Sequence, residues 1–204
     1  MNTGHMILDF LRRLRMVKER LQQYRLVTMQ YLSDAGIVLT PSGQNQIEIV
    51  DFGLGHLDTE GLELITYMNT DRYCAKELVL FPMQTCPEHV HPPVGNDPGK
   101  EETFRCRSGL VRLFVEGAPT APKGACIPPG SEAFYTAAHE VTLRPDEQFT
   151  IMPGIRHWFQ AGETGAVISE FSSTSRDSLD IFTDHRISRK PLTSTTKKED
   201  QRKR

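Results

Sequence analysis

Long apolar runs are missing from this 204-residue sequence. Arg and Lys break the apolar residues near the N-terminus every few positions, so neither a membrane-spanning helix nor a secretory leader is expected. An excess of one charge is missing too: 24 Lys and Arg stand against 26 Asp and Glu, for a formal net charge of -2 and a pI near 6.4. A nucleic-acid-binding face would raise that pI, so no nucleic-acid partner is expected. Cysteine is sparse, with Cys74, Cys86, Cys106 and Cys126 only. None forms a Cys-x-x-Cys pair, which argues against a zinc ribbon, a thioredoxin-type site or a disulfide scaffold. Reduced thiols in a chain without a leader point to the cytoplasm.

What is present is ordinary for one globular domain: 38% apolar and 25% charged residues. Residues 7–34 read as a helix, because Ile7, Leu11, Leu14, Val17, Leu21, Tyr24 and Tyr31 recur at helical spacing. Gly36 follows as a stop. The basic opposite face allows a membrane or partner helix, but a packing stripe against the rest of the fold or a sister subunit is the commoner meaning. After residue 40 short β-rich runs alternate with Gly, Pro and Asn. The candidates are 46–52, 61–68, 75–82, 103–107, 110–116, 139–144, 147–152, 156–161 and 166–172, a pattern of antiparallel sandwich or barrel. Residues 92–99 and 117–130 read as long loops, and long loops in compact domains are often functional. The division expected is a helical segment over 1–40, a β-barrel over 41–188 and a disordered charged tail over 189–204.

The chemistry-bearing stretch runs from Cys86 to Glu102. His89 and His91 are two apart, and on a strand residues i and i+2 share a face. Two imidazoles on one face can hold one ion. Glu102 follows, with six residues between it and Gly109, and Pro153-Gly154-Ile-Arg-His157 supplies a third imidazole after a tight turn. Three His and one Glu suit a divalent ion such as Mn, Fe, Co, Ni or Zn and leave two octahedral positions for substrate oxygens. A lone His-x-His is more often a pair of surface histidines; the case rests on the whole set. His56, His139 and His185 lack such spacing and read as structural or surface residues. A zinc site using Cys86 with His89 and His91 is disfavoured by crowding and by the absence of a second Cys pair.

In order and composition these motifs resemble those of the cupin fold: His-x-His, a gap, Glu, six residues, Gly, and then Pro-Gly ahead of His. The departures are a ten-residue gap from His91 to Glu102, Pro145 where Gly is usual, and Ala161 at the final position. The long gap leaves Glu101 as a rival to Glu102, and the spacing to Gly109 favours Glu102. Longer runs narrow the resemblance. Asp51-Phe-Gly-Leu-Gly, Ala75-Lys-Glu-Leu-Val-Leu-Phe-Pro, Cys86-Pro-Glu-His-Val-His-Pro-Pro, Gly99-Lys-Glu-Glu-Thr-Phe-Arg-Cys-Arg, His157-Trp-Phe-Gln-Ala-Gly, Glu170-Phe-Ser-Ser and Asp180-Ile-Phe-Thr-Asp are similar to the D-lyxose isomerase family of cupin sugar isomerases. The resemblance spans about residues 30–188. It implies a mainly β cupin barrel (a double-stranded β-helix or jelly roll) with an N-terminal α-helix. It also implies interconversion of D-lyxose with D-xylulose and D-mannose with D-fructose, a preference for manganese, and a homodimer.

Such an isomerisation needs a metal on adjacent sugar oxygens and a base near C1 and C2. Glu170 is the first candidate, against the alternative of a cross-strand salt bridge. Lys76 is the second, against a snorkelling surface lysine. Lys100 is a candidate substrate contact or a plain loop charge. Trp158 is either a sugar-stacking wall or a core aromatic. Arg105, Phe182 and Tyr67 are further candidates to line the pocket. Two other classes compete. A cupin dioxygenase would use the same ligands around iron but would have a more apolar site with fewer proton carriers. A non-catalytic sugar or metal sensor would bind ligand and leave it unchanged.

Overall fold

A computed structural model describes residues 3–120 and 124–192. Helix α1 (Thr3–Asp34) is followed by the single turn α2 (Pro41–Gln44) and nine strands: β1 (Glu48–Val50), β2 (Leu62–Asn69), β3 (Cys74–Leu80), β4 (Thr85–Val90), β5 (Glu102–Val115), β6 (His139–Leu143), β7 (Gln148–Ile151), β8 (His157–Ser172) and β9 (Ile181–Phe182). All pairings between these strands are antiparallel, in the order β1-β2-β3-β8-β4-β9, with β5 joining β8 to β6 and β7.

Four of the short runs expected from the sequence merge into two long strands. Runs 103–107 and 110–116 are the two halves of β5, and 156–161 and 166–172 are the two halves of β8. In their shared register Glu102 lies opposite Ser172 and Val115 opposite His157. A flat strand of that length would be roughly 45 Å long. Yet the side chains of Glu102 and His157, from opposite ends of this ribbon, approach to 2.9 Å. The ribbon is therefore folded across its middle, where the register shifts at Cys106/Ser108 and Gly109/Val111. Gly109 (φ +77°) and Gly165 (φ +79°) face each other there, in a backbone region that L side chains seldom adopt. A Cβ on Gly109 would lie 2.0 Å from the carbonyl oxygen of Gly165, so the close approach itself excludes a side chain.

The folded ribbon wraps one core. Leu62, Leu64, Leu78, Leu80, Phe104, Leu113, Phe159 and Ile168 alternate inward along their strands and are buried. Val79, Phe81 and Val167 have the opposite parity and are covered by Tyr24, Val27, Tyr31 and Leu32 of α1. These strands therefore read as nearly continuous apolar runs, because both faces are covered. α1 ends as the sequence expected. The Gly36 and Ile37 amides donate to the Ser33 and Leu32 carbonyls, and Gly36 has φ +77°, the pattern of a Schellman stop. The Tyr31 hydroxyl donates to Thr164 O at 3.1 Å, tying the helix to the bend of β8.

Two strands escaped the sequence pattern. β4 is polar and contains Pro87, and β9 is only Ile181–Phe182. The first residues of the expected tail, 189–192, are among the described ones. Ser188 N donates to Phe52 O and Leu192 N to Ile49 O, so the chain up to Leu192 lies along the barrel. Residues 193–204 of that tail, and 121–123 of the second expected loop, lie outside the described residues.

Gly109→Ala tests the bend. Strain in the left-handed region and displacement of the Gly165 backbone should together remove more than about 2 kcal/mol of stability. Urea unfolding would show this as a lower midpoint; a wild-type midpoint would mean that the bend does not depend on this glycine.

Candidate metal and sugar site

The barrel interior closes around a polar cluster that the fold assembles from three segments. His89 comes from β4, His91 follows its end, Glu102 opens β5 and His157 opens β8. The potential ligand atoms of these four buried residues all lie within 4.8 Å of one another. β4 reaches this arrangement through a bulge. Cys86 pairs with Phe159 and His89 with His157, so one extra residue sits on β4 between the two pairs. The bulge resets the alternation, and Cys86 and His89 both face inward although they are three apart.

Each histidine is oriented through Nδ1. That atom lies 2.8 Å from Pro87 O in His89, 3.0 Å from Ile155 O in His157 and 2.6 Å from Asp180 Oδ1 in His91. These partners are all acceptors, so each Nδ1 carries the proton and donates. Metal binding then falls to the Nε2 atoms, which converge. Nε2 of His157 is buried without a hydrogen bond, although it lies 2.9 Å from Glu102 Oε1. Nε2 of His91 is 3.0 Å from the same oxygen. Imidazole nitrogens and a carboxylate gathered at buried positions make a cation site of mixed nitrogen and oxygen donors, and a divalent ion fits it.

Electrostatics set the members of the cluster apart, and an ion bound at His91 Nε2 would displace a proton. Burial, with the neighbouring imidazoles adding to it, holds His89 well below the ordinary imidazole range. Burial opposes protonation of His91, but Glu102 and Asp180 overcome it and lift His91 to about 9. Burial acts to raise Glu102, and Lys100 and His91 outweigh it, so the carboxyl lies well below its usual range.

Across the cavity is a second charged group. Lys100 Nζ bridges Glu102 Oε2 and Glu170 Oε1, at 2.6 Å each. Lys76 Nζ is 3.7 Å from Glu170 Oε1 and 2.9 Å from Asp177 Oδ1. Burial disfavours the charged form of both lysines. The carboxylates reverse this, lifting Lys76 and raising Lys100 well above the normal range, so both are ammonium ions at neutral pH. Ser172 Oγ donates to Glu170 Oε1 at 3.2 Å. Phe52, Leu62, Leu64, Leu78, Phe104 and Phe159 form the apolar wall.

The structure thus brings His89, His91, Glu102, Glu170, Lys76, Lys100 and Phe182 to one cavity, and sets His157 behind its wall against Glu102. Glu101, the rival of Glu102, is exposed. Three expectations fail, all for one reason. Trp158 follows His157 on the same strand, so it must face the other way. It is buried in a separate cluster, stacked on Phe114 at 3.9 Å, and its indole donates to Ala137 O at 2.9 Å. Arg105 alternates with Glu102, Phe104 and Cys106, so it points outward, where it pairs with Asp146. Tyr67 is 47% exposed on the outer face. Strand parity could have excluded all three.

The sequence reading missed Asp177, Asp180 and Arg189, which line the same cavity. Arg189 Nη2 donates to Asp177 Oδ2 at 3.0 Å. Asp180 stood inside a motif run but carried no spacing signal. Arg189 sat in what read as tail, and nothing local distinguished it.

His89→Ala should weaken Mn2+ binding by more than the roughly 10–100-fold carried by outer partners of a ligand. Competition with a chelating indicator measures it, and unchanged affinity would remove His89 from the ligand set.

Residues 43–202 match the D-lyxose isomerase family. The chain is 65% identical over 158 residues to a D-lyxose ketol-isomerase of Cohnella laeviribosi, covering 78% of this chain and 87% of that protein. It is 56% identical over 174 residues to a D-lyxose/D-mannose isomerase of Thermosediminibacter oceani, covering 85% and 96%. Among solved structures, the L-ribose isomerase of Cellulomonas parahominis superposes with a TM-score of 0.68 at 16% identity, covering 80% of this chain and 91% of that one. At that identity the likeness speaks for the shared cupin barrel alone. The sequence matches go further, and the chain belongs to the D-lyxose isomerase family.

Proposed function

We propose that this protein is an aldose–ketose isomerase that interconverts D-lyxose with D-xylulose and D-mannose with D-fructose. The supporting observation is a buried carboxylate, Glu170, held between two ammonium groups and linked through Lys100 to the cation site. Relatives named for these sugars lend the substrate class. Manganese is the first choice of ion, with Co2+, Fe2+, Ni2+ and Zn2+ as other occupants of such a donor set. His89, His91, Glu102 and His157 would hold it, and it would supply positive charge to adjacent sugar oxygens as the carbonyl becomes an enediolate.

The chain's own groups do the rest. Glu170 takes the proton from C2 of the open-chain aldose and returns it to C1, while a second proton passes from O2 to O1. Lys100 reaches both Glu102 and Glu170 and is placed to donate to the sugar oxygen that gains charge. Lys76 fixes the other side of Glu170, and Ser175 and Asp177 fix Lys76 in turn. Apolar walls exclude water from the transfer. Such a charged, hydroxyl-seeking lining suits a polyol better than the apolar substrate of a dioxygenase.

A cytoplasmic homodimer completes the proposal. Free cysteines suit a reducing compartment. Tyr67, Tyr73 and Phe171, exposed on β2, the turn before β3 and β8, offer apolar surface for a second copy to cover.

Chelator-stripped protein should be inactive and regain turnover with Mn2+ in an anaerobic assay that offers each of the four sugars separately. Folded, metal-loaded protein that converts none of them refutes the isomerase. Glu170→Gln should keep the metal and lose on the order of 10²–10⁴-fold in rate. Near-normal exchange of the C2 hydrogen with solvent in that variant would give the base role to another group.

A further inference from the structure

His91 differs from its two companions in how it is held. His89 and His157 donate through Nδ1 to backbone carbonyls two residues upstream, Pro87 O and Ile155 O. These acceptors are neutral and local, so each imidazole is oriented by its own strand. Nδ1 of His91 instead meets a carboxylate 89 residues away in sequence, Asp180 Oδ1 at 2.6 Å. Both side chains are nearly closed to solvent, at 6% and 7% exposure. His91 lies one residue past the end of β4, beyond the last ladder contact of that strand with β9, so the sheet does not orient it directly.

Asp180 is itself held in place. It sits immediately before β9, whose Ile181 and Phe182 pair with Val90 and His89. The Phe182 ring lies 5.4 Å from the His89 ring. The Thr183 hydroxyl donates to the buried Glu88 carboxylate at 2.6 Å, and Thr183 N to Glu88 O at 3.0 Å. Three residues before Asp180, Asp177 holds Lys76. One short segment, 177–183, thus touches two histidines of the cation site and the lysine beside Glu170.

We propose that Asp180 is a positioning residue for the metal centre: its carboxylate fixes the Nδ1–H tautomer and ring orientation of His91 and strengthens the hold of Nε2 on the ion. This rests on the metal-dependent reading given above. A carboxylate behind an imidazole makes its free nitrogen a better donor, and such outer partners carry on the order of 10–100-fold in metal affinity. Asp180 acts through His91, since its Oδ1 is engaged by that ring.

Two variants separate orientation from charge. Asp180→Asn keeps an acceptor oxygen at the same length and removes the negative charge; Asp180→Ala removes both. The probe is Mn2+ alone, titrated into the full metal-stripped chain against a chelating indicator, with thermal melting as the control for folding. Asp180→Ala should bind Mn2+ at least tenfold more weakly than wild type, with Asp180→Asn between them. In the metal-free protein, the proton NMR spectrum should show a low-field Nδ1–H resonance of His91. The signal should be lost in Asp180→Ala and shifted upfield in Asp180→Asn. A general loss of structure would not single out that resonance. Wild-type protein that binds Mn2+ beside variants of equal affinity overturns the role of Asp180 and leaves the metal centre standing. Wild-type protein that binds no Mn2+ overturns the centre and the role together.

Discussion

Everything in this barrel depends on keeping charge inside it. Six ionisable side chains that line the cavity, Lys76, His89, His91, Lys100, Glu102 and Glu170, are at most 7% exposed. An isolated charge in such a place costs many kcal/mol, and the cost is met only when each charge has an opposite partner in good geometry. The structure meets it with a chain of contacts. Asp177 faces Lys76, Lys76 and Lys100 flank Glu170, Lys100 continues to Glu102, and Glu102 faces His91 and His157. Asp180 closes the far end on His91. Removing any link leaves a neighbour uncompensated, so the site is fixed as a unit.

That network exists because a long antiparallel ribbon is folded in half. β5 and β8 stay paired through their whole length, and the bend at Gly109 and Gly165 lays one half over the other. Residues far apart along the ribbon then meet, and the two ends of one ladder supply Glu102 and His157 to the same point. Lys76, His89, Glu102, His157 and Glu170 thus sit on strands, which hold geometry better than loops. α1 covers the back of this ribbon and closes on the bend through Tyr31, so it stabilises the geometry from outside.

The long connection between His91 and Glu102 departs from the usual cupin spacing, and the structure shows where its length goes. Val94 and Asp97 pair across a turn, and Asp97 accepts from Arg176 at 2.8 Å. The inserted loop is thereby tied to the segment that carries Asp177 and Asp180. Parts of the chain that look unrelated in sequence, the loop after His91, the stretch after β8 and the start of the expected tail at Arg189, converge on one rim of the cavity.

Motif spacing, read with the resemblance to the cupin fold, pointed to His89, His91, Glu102 and His157, which the structure gathers within 4.8 Å. His-x-His, Glu before a glycine, and His after Pro-Gly are short-range patterns, and strand geometry converts them directly into shared faces. Glu170 was legible because a carboxylate in an apolar strand must be paired or functional. The sequence also determined the helix, its glycine stop and the antiparallel β character, all set by local periodicity. Tertiary structure decided the rest. Only the folded register tells that four short runs are two bent strands, and that polar β4 is a strand at all. Asp177, Asp180 and Arg189 became visible only there. Their partners lie far away in sequence, and an ion pair or a hydrogen bond between distant residues leaves no periodic trace in the sequence.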